Sequence, residues 1–347
     1  MNKLLLLLGV AGLLLTAGCR KEDEVVCAPP AGNPLADFFR RNQPAEQVFA
    51  LPDVSQTQTI RTAKGAKLII RGGTLALLGT NTAATGAAVL RLREMYDVPD
   101  MLLADLPTQT NGGQFGSREL ESGGEFQIQV WQGRQRLVSL GTPGSWQRMS
   151  MSSPYPRRRR TQPASFSYDT WFSQPLKPFN ANLAADTSQT SPGWTFGQGF
   201  VLDTVVAPGQ PQPMGYLSQF VLDSLSLHNI DWFVNLNGSS PRGDLQIIIP
   251  TADGGPVASA QNTRVYLVPY TGNTMLRLYY GTPTPLTWGY LGLPGGLAYA
   301  AVVLQCPAAG QLRFAVQFFT LAAGSNTLTV QPMPMSEADI LAQIRAL

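Results

Sequence analysis

Residues 125–130, Glu-Phe-Gln-Ile-Gln-Val, put Phe126, Ile128 and Val130 on one side of an extended chain and Gln127 and Gln129 on the other. A period of two is the mark of a strand with one face in a core and one in water. The pattern recurs at 89–95, where Leu90 and Leu92 alternate with Arg91 and Arg93. It predicts leucines inward and guanidinium groups toward water. Shorter runs at Thr57–Thr62 and Lys67–Ile70 flank Gly65, and Asn111, Gly112-Gly113 and Gly123-Gly124 supply turns. Pro99–Leu106 has room for one or two helical turns. Several short strands bounded by such turns predict a β-sandwich.

The second half repeats the grammar without repeating the sequence. Leu245–Ile249, Thr263–Tyr270, Met275–Tyr280, Leu297–Cys306 and Gln311–Leu321 read as strands. In the last of them Leu312, Phe314, Val316 and Phe318 share a face. Asn237-Gly238, Asp253-Gly254 and Gly272-Asn273 mark hairpins. Ser336 and Asp339 form a capping pattern ahead of an apolar stripe, Ile340, Leu341, Ile344 and Leu347, so the chain ends in a helix. Between the halves Pro, Ser and Gln crowd together, with local structure expected only around Tyr168–Phe179.

The expected architecture is therefore mainly β: two β-sandwich domains joined by a Pro/Ser/Gln-rich segment, with a short C-terminal helix. Its parts are a leader at 1–18, a tether at 19–46 with a short helix at Leu35–Arg41, and a sandwich at 47–141. A connector at 142–213, a second β domain at 214–332 and a helix at 333–347 complete it.

The leader carries an address. Lys3 precedes an apolar run, Leu4–Leu15, and Thr16-Ala17-Gly18 ends at Cys19. The run is too short to span a bilayer, which takes about 20 residues. Cysteine after small residues is the pattern of a bacterial lipoprotein, cut before Cys19 and held on the membrane by acyl chains on it. Leu15 lies four residues before the cysteine rather than the usual three, and an ordinary signal peptidase would release a soluble product instead. Arg20-Lys21-Glu22-Asp23-Glu24 resembles the basic-then-acidic export tag of surface lipoproteins of Bacteroidetes-type bacteria; a plain solvated tether has the same composition. The expectation is a lipid-anchored outer-membrane protein exposed at the cell surface, with periplasm-facing or secreted forms as alternatives.

Charge and histidine content narrow the chemistry. A formal net charge of +3 with 14% charged residues creates no field that would attract nucleic acid. The single histidine, His228, rules out a site built from several imidazoles, and neither a metal nor a cofactor is expected. No Gly-x-Ser-x-Gly elbow accompanies His228, which reads as a half-buried structural residue. With Cys19 lipidated, Cys27 and Cys306 remain. They either form a disulfide that fixes the tether to the C-terminal domain or stay as two unrelated thiols.

Residues 64–77, 86–110 and 120–130 (KGAKLIIRGGTLAL, GAAVLRLREMYDVPDMLLADLPTQT, LESGGEFQIQV) are similar to a segment of Bacteroidetes-type lipoproteins. More distantly they resemble the ZU5 β-sandwich of spectrin-binding ankyrins and netrin receptors. The likeness spans about Val48–Leu140 and departs at Arg71, where proline is common, and at Glu125, where a hydrophobic residue is common. It implies a sandwich in a surface setting and transfers no catalytic residue.

Two functional readings follow. In the first, a non-enzymatic protein binds a glycan or a protein partner through its sandwich faces. Tyr266, Tyr270, Tyr279, Tyr280, Trp288, Tyr290 and Tyr299 are dense, and Arg277 and Tyr279 share a face opposite Leu276, Leu278 and Tyr280. Arg277, Tyr279, Trp288 and Tyr290 are the candidate ligand-binding residues; aromatic residues also favour strands for packing alone. In the second, a glycan hydrolase draws two carboxylates from Glu94, Asp97, Glu119, Glu121 and Glu125, which must lie about 5–10 Å apart across a cleft. Arg157–Arg160 either grips anionic phosphate or is a solvated linker.

Overall fold

The computed structural model describes residues 34–109, 120–140, 149–156, 177–181, 195–196, 215–221, 225, 227–233, 241–250, 259, 261–270, 272–281, 287–307 and 311–347. Cys19, Cys27 and Arg157–Arg160 lie outside them. The chain is mainly β, with several antiparallel sheets and a short C-terminal helix. No helix among the described residues is long and apolar enough to cross a membrane.

One sheet runs in the order β1 (Gln47–Leu51), β5 (Ala88–Met95), β6 (Leu120–Gln132), β12 (Leu227–Phe233), β9 (Lys177–Ala181), β10 (Thr195–Phe196), with strands numbered along the chain. Beside the far end of β6 lie β7 (Gln135–Ser139) and then β4 (Leu75–Leu77). A second sheet holds β11 (Gly215–Val221), β8 (Met149–Pro156), β3 (Lys67–Ile70) and β2 (Gln58–Arg61). Phe126, Ile128 and Val130 enter the core between the two with Leu90, Leu92, Ile60, Leu68 and Ile70, as the period of two requires. By hydrogen bonding, β11 and β12 belong to the sheets of the first half, although 214–332 reads in sequence as a second domain.

Arg93 departs from its expected place. It is buried, with Nε donating to Pro44 O at 2.6 Å, Nη1 donating to Gln127 Oε1 and Nη2 3.9 Å from Glu46. The segment leading from helix α1 (Pro34–Asn42) into β1 crosses over it, and alternation along one strand carries no information about such a cover.

In the second sandwich one sheet runs β16 (Tyr279–Gly281), β17 (Thr287–Pro294), β13 (Arg242–Ile248), β20 (Gly324–Thr329). The other runs β15 (Leu276–Arg277), β14 (Thr263–Pro269), β18 (Ala298–Gln305), β19 (Arg313–Thr320), β21 (Met333–Pro334). Every residue of β14 is buried, and all of β18 except Ala298. Val265, Leu267, Ala301 and Val303 face the core between these sheets, whereas Tyr266, Val268, Ala300, Val302 and Leu304 face a different one. A strand covered on both faces needs apolar residues throughout, which is why 297–306 shows no alternation.

That other core joins the two sandwiches. It gathers Leu35, Phe38 and Phe39 of α1, Met101, Leu102 and Leu103 of helix α2 (Val98–Leu103), and Ile340 and Ile344 of helix α3 (Glu337–Arg345). Met95, Leu120 and Leu227 close it from the first sandwich. Ser336 caps α3, its Oγ accepting from Asp339 N at 3.2 Å, and Leu341 and Leu347 pack at the rim. Main-chain groups tie the halves further: Thr108 N donates to Met275 O (2.7 Å) and Ser122 N to Asn273 O (2.9 Å). Asn273 Nδ2 in return donates to Tyr96 O and Ser122 O. Gly124 (φ 137°) makes the contact possible, because a Cβ there would meet the Tyr96 ring at 3.0 Å.

Candidate binding surface

Three of the four candidate ligand residues, Arg277, Trp288 and Tyr290, are turned inward. Trp288 and Tyr290 lie opposite Ile247 and Leu245 and are buried in the second sandwich core. Arg277 does oppose the face of Leu276 and Leu278, but that face is covered. The Tyr279 side chain lies outside the described residues. Tyr266 and Tyr299 are core residues too, and His228 is buried in β12 opposite Phe126. Cys306 is buried in the joining core, while its proposed partner Cys27 is outside the described residues.

What covers Arg277 is Asp105. Helix α2 starts at Asp97, whose side chain accepts from Asp100 N at 3.1 Å, and stops in a Schellman turn. Asp105 N donates to Leu102 O and Leu106 N to Met101 O, with Asp105 left-handed at φ 55°. The turn sends the Asp105 carboxylate into the second sheet. Tyr266 donates its hydroxyl to Oδ1 at 2.6 Å, Arg264 Nε donates to Oδ2 at 3.2 Å, and Arg277 Nη1 stands 3.6 Å from Oδ1. Burial first, and then the negative charge of Asp105, push the Tyr266 phenol well above its ordinary pKa despite the two guanidinium groups. Among the described residues this cluster is wholly structural in its contacts, binding sandwich to sandwich.

Nor do the carboxylates converge. Glu94 opposes Phe126 while Glu125 opposes Met95, so the two buried acids point to opposite faces of one sheet. Glu94 accepts from Gln47 Nε2 (2.6 Å), Thr62 Oγ1 (2.8 Å) and Tyr96 Oη (2.8 Å), and Glu125 Oε1 accepts from Asn229 Nδ2 (3.2 Å). Asp97 caps α2; Glu119 and the Glu121 side chain lie outside the described residues. His, Cys, Asp and Glu form no metal-binding group of three or more among the described residues.

An aromatic surface does exist, at the end of the sheet that carries β14, β18 and β19. Phe318 is 65% exposed and Tyr270 58%. Ala300 sits between Val268 and Phe318 in register, and Tyr270 N donates to Ala298 O in the next row. The joining core covers this face as far as Val268, Ala300 and Phe314 and then stops. At its edge, Tyr270 and Phe318 stand two strands apart, about 10 Å, with the exposed Ala298 on the strand between them. Phe319, one residue on, turns to the opposite face and stacks on Tyr299 at 5.9 Å. The period of two puts Leu312, Phe314, Val316 and Phe318 on a common face. Where the covering helices end is marked by no periodic signal.

No family model and no curated protein matches the chain. Among solved structures it is similar to the Bacillus anthracis TIE protein, at 10% identity and a TM-score of 0.22, covering 84% of this chain and 41% of that one. It is also similar to γ-CGTase from alkalophilic Bacillus clarkii, at 10% identity and a TM-score of 0.20, covering 80% and 41%. The chain thus spans well under half the length of either protein, and scores near 0.2 define no shared fold.

Proposed function

We propose that this protein is a lipid-anchored binding protein of the bacterial cell surface that holds a glycan by stacking it on Tyr270 and Phe318. The exposed aromatic pair beside Ala298 carries the reading. Flat apolar sugar faces match aromatic side chains held on a rigid sheet, and the small, exposed Ala298 between them leaves room for the ring. Large aromatics exposed next to one another lose hydrophobic stabilisation unless a partner covers them. The leader ending at Cys19 and its resemblance to lipoprotein signals support the anchor, and the ZU5-like segment supports the surface setting. A hydrolytic role draws no support from Glu94 and Glu125, which face apart.

The experiment is a glycan array with the full chain in detergent, followed by titration of the best ligand. Tyr270→Ala and Phe318→Ala should each weaken binding by about tenfold, on the order of 1–1.5 kcal/mol per stacked ring. Unchanged affinity in the double variant rejects the site. Metabolic labelling with an alkynyl fatty acid tests the anchor separately: the signal should vanish in Cys19→Ala.

A further inference from the structure

We infer that a second surface, the outward face of β5, β6 and β7 around Trp131, takes a sugar that bears a carboxylate. This is a different face of a different sandwich, so the inference does not depend on Tyr270 or Phe318. Phe126, Ile128 and Val130 face the core, which turns Gln127, Gln129 and Trp131 outward. Trp131 Nε1 donates to Gln129 Oε1 at 3.1 Å, which fixes the indole along the strand. Val89 lies opposite it on β5 and is exposed; Val48, on β1 beside Arg91, is exposed as well.

Charge selects the ligand. Arg136 lies directly opposite Trp131 on β7, and Arg134 is exposed in the hairpin between the strands. Arg136 Nη2 donates to Leu225 O at 2.6 Å; among the described residues its Nε, shielded from solvent, meets no acceptor and neither arginine forms a salt bridge. Of the acids the described residues place on this face, Glu46 already stands between Arg91 (3.7 Å) and Arg93 (3.9 Å), and Glu125 is buried under Asn229, away from the hairpin. The hairpin Trp131–Leu137 contains no acidic residue. A flat aromatic ring bordered by guanidinium groups and glutamine amides fits a pyranose carrying a carboxylate: ring on indole, carboxylate on the exposed guanidinium of Arg134, with the Arg136 charge behind it. Anionic lipid suits the face less well. The indole lies against the sheet with amides around it, and membrane-inserting aromatics protrude with apolar neighbours.

The test is titration of the full chain in neutral detergent with oligogalacturonate, a neutral maltooligosaccharide of equal length, and phosphatidylglycerol vesicles. Oligogalacturonate should bind and the neutral oligomer should not. Trp131→Ala should weaken binding at least about tenfold, and Trp131→Phe should restore most of it. Arg134→Gln with Arg136→Gln should weaken it and flatten its salt dependence. The Tyr270→Ala, Phe318→Ala double variant should bind oligogalacturonate like the parent. No binding of oligogalacturonate, equal binding of the neutral oligomer, an unchanged Trp131→Ala, or vesicle binding alone overturns the inference.

Discussion

Asp105 occupies a backbone position that glycine would fill at lower cost. A left-handed residue with a Cβ costs about 1–2 kcal/mol, and Schellman turns usually place glycine there. The carboxylate offsets that strain by holding Tyr266, Arg264 and Arg277. Asp105→Gly should therefore destabilise the protein, by about 3 kcal/mol in urea titration, because it takes the acid from the buried Arg277 and the acceptor from the Tyr266 hydroxyl. A gain in stability would show that the cluster contributes nothing. Tyr266 sets a limit in alkali. Its folded pKa is raised, so its contribution is complete below an unfolded value near 10 and is lost as pH climbs from there through the raised value. The stability of the parent should fall more steeply above pH 10 than that of Tyr266→Phe, measured by chemical denaturation. Neither role is visible in sequence: 264, 266 and 277 read as strand residues, and only the path of α2 brings Asp105 to them.

Among the elements, α3 shows how much of the fold is legible and where legibility ends. Its cap at Ser336 and its stripe of Ile340 and Ile344 follow from spacing, and both isoleucines are fully buried. Its partner does not follow from spacing. Glu337 accepts from Asn42 Nδ2 at 2.7 Å and Arg41 Nη2 at 3.0 Å, so the two ends of the described chain meet in one joint. Ending the chain after Met335 should cost roughly 3–6 kcal/mol, the burial of two isoleucines, and lower the urea midpoint without changing the sheets seen by circular dichroism. The same division holds for strands. The period in β6 was readable because one face is wet, whereas β14 and β18 lost theirs to cores on both sides. Arg277, Trp288 and Tyr290 looked available for the same reason: alternation gives the face but not its cover. Trp131 was reachable by extending the Phe126–Val130 alternation one residue.

Across the whole molecule, residues 34–347 form a single compact unit in which three helices and the Asn273 turn bind sandwich to sandwich. The first sandwich also borrows from far along the chain, since β12 lies along β6 and β11 along β8. A fragment ending at residue 141 should thus be insoluble or molten when expressed, with little near-ultraviolet dichroism, while one that includes residue 233 should show native-like packing of that half. A cooperative, soluble 1–141 fragment would refute the dependence. The borrowed strand also has a consequence in time. Asn229 and the Glu125 it bonds are 104 residues apart, so at about 5–20 residues per second the neighbour of β6 emerges from synthesis roughly 5–20 s after it. Through that interval the Leu120–Gln127 stretch of β6 offers a bare edge to any other extended chain. Production of this protein should be limited by how well that edge is shielded during synthesis, far more than by the stability of the finished fold.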